Sequence, residues 1–136
     1  MTMEPSKGRL RHYEGMFLVG QNQASDLQNV VDHITGIITK HGGKIVSMQK
    51  WDERRLAYEI DKNKRGIYIL TYFEIDPTQM HEIDRECNLS ETILRSMCLN
   101  ASHLTLEEMQ SADARAELET EAKLRAEQAD EAPASA

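Results

Sequence analysis

Residues 44–76 read KIVSMQKWDERRLAYEIDKNKRGIYILTYFEID, and the fold turns on them. Two long apolar runs flank a short basic stretch. Ile45, Leu56, Ala57, Tyr58 and Ile60 supply the first run, and Ile67, Ile69, Leu70 and Phe73 the second. β-branched and aromatic residues are dense after Gly66, which suits a half-buried strand. Between the runs, DKNKRG holds the Asn and Gly that turn a chain, so 61–66 is predicted as a loop between two strands. That loop carries Lys62, Lys64 and Arg65, while Lys50, Arg54 and Arg55 flank Trp51 upstream. The window 44–65 holds seven Lys or Arg against four acids, in a chain of formal net charge −7. This local reversal of sign is the main functional clue.

Working outward, Arg11 to Gly20, RHYEGMFLVG, reads as a first strand with apolar residues on both faces, as expected at the centre of a sheet. Gly15 within it predicts a close backbone approach or a bulge. Ser25 or Asp26 is placed to cap a helix running to about His41. Leu27, Val30, Val31, Ile34, Ile37 and Ile38 recur along it at helical spacing, and Gly42–Gly43 stops it. Pro77 opens a second helix, with Met80, Ile83 and Cys87 on its apolar side. Glu91 to Ala101, ETILRSMCLNA, is a last strand. The order β-α-β-β-α-β predicts an α+β, ferredoxin-like split β-α-β fold. Its four-stranded antiparallel sheet should carry both helices on one face, because the crossovers are right-handed. Residues 1–9 read as a flexible arm, 10–104 as the domain, and 105–136 as an acidic tail, partly helical or disordered.

The acidity is concentrated in that tail. Residues 107–136 hold nine acids and three bases, whereas residues 1–106 hold fourteen acids and thirteen bases. The tail is rich in Ala and Glu and has almost no apolar stripe, so solvation is expected of it. A near-neutral domain with a cationic rim is able to meet a polyanion through a few phosphate contacts. There is no run of 18 apolar residues for a membrane span and no apolar N-terminal stretch for secretion. Cys87 and Cys98 fit no metal spacing and are expected as reduced thiols, one near a helix end and one in a strand. The five histidines are scattered, and no Gly-rich phosphate loop, GxSxG or HExxH motif occurs. Neither an enzyme, a metal, a cofactor nor a small-molecule substrate is expected.

The uncovered sheet face should present His12, Glu14, Met16 and Leu18 from the first strand and Tyr68, Leu70 and Tyr72 from the third. So much apolar and aromatic surface predicts a partner. The aromatic signature of an RNA recognition motif is poorly matched by Gly66-Ile67-Tyr68-Ile69. The open face is therefore assigned to a protein partner, or to a site shared between protein and RNA, and the basic rim to RNA, with Trp51 packing at the hairpin bend. Arg95, mid-strand, is expected either on the open face or guarding a sheet edge.

Several stretches resemble one family, that of bacterial small ribosomal subunit protein six. They are RHYEGMFLV at 11–19, ITKHGGKI at 38–45, WDERRLAYEI at 51–60, RGIYILTYFE at 65–74 and ILRSMCL at 93–99. The likeness spans residues 9–103, and Leu56, Ala57, Tyr58 and Ile60 are its most specific piece. Asp52 and Glu59 stand where the family often has Gly and Pro, and Glu53 where a basic residue is usual. The resemblance implies a structural role in the small ribosomal subunit, without catalysis. It implies binding to the central domain of the ribosomal RNA together with ribosomal protein eighteen, and a cytoplasmic, ribosome-associated location. Under it, Arg11, Lys50, Arg54, Arg55, Lys62, Lys64, Arg65 and Arg95 are the candidates for RNA or partner contact. A rival reading is a ferredoxin-like module that self-associates through its open sheet. A small enzyme on this fold would need an acid/base cluster that the sequence does not contain.

Overall fold

The structure is a computed structural model that describes residues 10–131, with side chains to residue 129. The expected arm and the last residues of the expected tail lie outside the described residues.

Four strands form one antiparallel sheet: β1 (Arg11–Gly20), β2 (Lys44–Ile60), β3 (Asn63–Ile75) and β4 (Ile93–Asn100), in the order β2-β3-β1-β4. The crossover helices are α1 (Leu27–Lys40) and α2 (Met80–Leu89). Period-two alternation decides the faces. Phe17, Val19, Ile67, Ile69 and Phe73 point to one side and are buried with Leu27, Ile34, Ile38 and Ile83 of the two helices. This is the expected ferredoxin-like arrangement.

Local signals set the element ends. Gly42, at φ +83°, donates to Thr39 at 3.0 Å, and Gly43 donates to Ile38 at 2.9 Å. This paired return of two N–H groups to the last carbonyls closes α1. Asp26 stands at the helix start, but its side chain makes no capping bond; a 3-10 turn, Gln21–Asp26, leads in instead. Asp76 caps the turn at Pro77 by accepting from the Thr78 N–H at 2.9 Å. Gly15 is a close approach, since a Cβ there would lie 2.7 Å from the Phe17 ring.

Two features depart from the sequence reading. The loop expected over 61–66 is a two-residue turn, with Ile60 paired to Asn63 and positive φ at Asp61 (46°) and Lys62 (69°). Such turns match the twist of the strands they join. Lys64 and Arg65 therefore belong to β3. Asn63, read as a turn residue, is buried and accepts from the Asn22 N–H at 3.3 Å.

The second departure is the segment expected as a solvated tail. It forms α3 (Leu106–Ser111) and α4 (Arg115–Glu131) and docks back on the domain. Thr105 and Glu108 close a reciprocal capping box at the start of α3. Met109 of α3 is buried with Leu70, Tyr72 and Ala101 on the sheet face away from α1 and α2. Leu118 and Ala122 of α4 are buried in the main core. The segment thus reaches both faces, passing the outer edge of β2.

Candidate nucleic-acid and partner interface

β1 ends where Gly20 meets Gly66, so the β2–β3 hairpin runs on past it as a two-stranded ribbon. Arg54, Arg55, Lys62, Lys64 and Arg65 are exposed on this ribbon. Arg55 pairs in register with Arg65. Like charges placed directly opposite disfavour the folded hairpin unless an anion offsets them. Among the described residues, Arg55, Lys62, Lys64 and Arg65 have no carboxylate within salt-bridge distance. Arg54 is held differently: its Nε lies 2.8 Å from Asp52. Its guanidinium sits 5.0 Å from the Trp51 ring centre and 5.3 Å from that of Tyr68. Trp51 is half exposed and meets Tyr68 edge-on, with centroids 5.9 Å apart. It therefore lies within β2 rather than at the bend.

Three of the predicted cations do not join this cluster. Lys50 is taken by the chain's own acids: its Nζ lies 3.0 Å from Glu121 of α4 and 3.5 Å from Glu53. Arg125 completes a four-membered network, at 2.6 Å from Glu53 and 2.8 Å from Glu121. Burial alone would raise the Glu121 carboxyl, but hydrogen bonds from Lys50 and Arg125 outweigh it and hold the group below its ordinary value. Arg11 stands at the far end of β1, about 30 Å from the ribbon at strand rise. Arg95 is exposed on edge strand β4, opposite Leu18, and so lies on the open face as well as at a sheet edge.

The open face is half covered. Leu70 and Tyr72, expected to await a partner, are buried under α3. The Tyr72 hydroxyl donates to Glu14 at 3.2 Å, and burial, then Glu14, raises its pKa. His12 is turned to Glu74 at 3.2 Å, at the end remote from the ribbon. Glu14, Met16 and Tyr68 remain partly exposed and, with Leu18 buried at the floor, line an open groove of about 480 Å³. Its walls went unforeseen. One is the stretch Leu56–Ala57–Tyr58, which bulges from β2 because four residues, 56–59, face only Lys64 between two ladder pairs. Met97 and Leu99 of β4, both exposed, form the other. Laying ILRSMCLN antiparallel to β1 would have revealed this wall, because Arg95, Met97 and Leu99 alternate onto the face of Leu18, Met16 and Glu14. Gly66 keeps the floor tight: a Cβ there would meet Leu18 at 2.5 Å and Leu56 at 3.2 Å.

Cys87 and Cys98 are both free thiols. Burial pushes the first up to about 11 and the second to about 12. Among the described residues no cluster of His, Cys, Asp or Glu is arranged to hold a metal. Nor is any described helix long and apolar enough to cross a membrane.

The ferredoxin-like domain thus sets a cationic ribbon beside an apolar groove. The chain belongs to the ribosomal protein S6 family, whose profile matches residues 12–100. The small ribosomal subunit protein bS6 of Fusobacterium nucleatum subsp. nucleatum is 37% identical over 87 residues, 63% of this chain and 93% of the relative. That of Saccharopolyspora erythraea is 37% identical over 95 residues, 66% of this chain and 77% of the relative. The crystal structure of 30S ribosomal protein S6 from Thermotoga maritima superposes with a TM-score of 0.63 at 28% identity, covering 75% of this chain and 97% of that one. The chain is accordingly a structural component of the small ribosomal subunit and not an enzyme.

Proposed function

We propose that the ribbon binds the central domain of small-subunit ribosomal RNA while the groove seats ribosomal protein eighteen, so that the two partners dock side by side on the ribosome in the cytoplasm. The carrying observation is the set of four ribbon cations without a carboxylate partner, next to an open apolar groove. Phosphate contacts from Arg55, Lys62, Lys64 and Arg65 position the domain without reading sequence. Arg54, already stacked on Trp51 and Tyr68, offers its plane and the ring beside it to an unpaired base. Arg95 and Glu14 give the groove one charge of each sign for a polar rim around Met16, Leu18 and Met97.

A mobility-shift titration against central-domain RNA, with and without protein eighteen, tests the reading. Affinity should fall linearly with the logarithm of salt concentration, and Lys62→Ala plus Lys64→Ala should flatten that slope by about two. Met97→Asp should abolish only the gain from protein eighteen. Binding indifferent to salt, or unchanged in both variants, would refute it.

A further inference from the structure

β2 is an edge strand of 17 residues, and its outer side is already occupied at Val46 and Met48. The Met48 N–H donates to the Asp113 carboxylate at 3.1 Å. The Met48 carbonyl accepts from the Ala114 N–H at 2.9 Å. Arg115 reaches the Val46 carbonyl at 3.4 Å. These are the backbone groups that a further strand would use. On one side of this edge Met109 closes the open face, and on the other Leu118 and Ala122 close the helix face. Lys50, Glu121, Arg125 and Glu53 then lock α4 alongside.

We propose that residues 101–131 are a strap that seals the β2 edge, and that its release lets the chain pair through β2 with a second copy of itself. An unpaired strand of this length is a template for another chain. Val46 and Met48 lie at the sealed stretch, so the bared edge is apolar at its middle. Two-fold antiparallel pairing centred on Met48 sets Lys44 of each copy opposite Asp52 of the other, unlike charges meeting twice. The family match stops at residue 100, so the strap lies outside the shared domain. This inference does not depend on the RNA reading.

The test uses the full chain carrying Leu118→Asp and Ala122→Asp, which place charge into the core that α4 occupies. Sedimentation across a concentration series gives the mass, and hydrogen exchange gives the protection of the Met48 amide. The parent should be monomeric with Met48 protected. In the variant, Met48 should exchange freely at low concentration and regain protection as the mean mass doubles. Should the double variant lose its sheet signal in circular dichroism, Asp113→Ala, which removes the carboxylate that the Met48 N–H donates to, is read the same way. A variant that stays monomeric with Met48 exchanging overturns the proposal. So does unchanged Met48 protection at low concentration, or a parent that is already dimeric.

Discussion

Single side chains carry more of this fold than their types suggest. Gly42 has open space around it and a φ of +83°, so Gly42→Ala isolates the backbone term. It should cost about 1 kcal/mol in denaturant unfolding, because an L side chain resists the left-handed region. Asn63 shows how residue type misleads. Asn is a turn former, and the sequence placed it in a loop, yet its carboxamide is buried and bridges to the Asn22 N–H and the Asp61 carbonyl. Its place one residue past the turn follows from the positive φ of Asp61 and Lys62, neither of which is Gly. Asn63→Ala should cost about 1–3 kcal/mol by leaving those groups unpaired. The cysteines were legible from their context. With both thiols raised to about 11 and about 12, they stay protonated at neutral pH. Native protein should resist iodoacetamide and react fully in denaturant, as counted by mass spectrometry.

At the scale of elements, the strands and crossover helices were readable because burial imposes its own period. Phe17 and Val19 alternate in β1, and Val30, Ile34 and Ile38 recur in α1. The helix α4 was not readable, since among its described side chains only Leu118 and Ala122 are buried, too sparse a stripe to tell from a solvated helix. Its docking depends on partners remote in sequence: Met48, Lys50 and Glu53. That dependence makes it sensitive to acid. Glu121 and Asp113 both have lowered folded values, set against burial by Lys50 and Arg125 for the first and by Arg115 and the Met48 N–H for the second. A depressed carboxyl contributes stability above its unfolded value, about 4.5 for Glu121 and 3.8 for Asp113, and loses it as pH falls through the folded value. Protection of the Met48 amide should therefore hold at neutral pH and weaken below about pH 4.5, before the sheet amides of β1 and β3 do. Equal loss everywhere would show that the network does not hold α4.

For the molecule as a whole, the arrangement of surfaces matters more than any one of them. The ribbon was foreseen as a basic patch at the end of a hairpin, but of the three cations set in its loop only Lys62 lies in the turn, Lys64 and Arg65 being part of β3. The open face was foreseen as a partner surface, but α3 removes Leu70 and Tyr72 from it. What remains is shifted toward β4, where Met97 and Leu99 were passed over because the alternation of β4 had not been laid against that of β1. The β2 edge is covered around Val46 and Met48, and the β4 edge is bare.

The stacked trio of Trp51, Tyr68 and Arg54 has a practical result. The chain contains one tryptophan, so its indole emission comes from a single address at the seam between ribbon and groove. Half of that indole faces water, and its neighbour Tyr68 lines the groove. On the proposed function, arrival of RNA or of protein eighteen should change the colour or brightness of this one intrinsic lamp, and the order of arrival is open to timing without any attached dye.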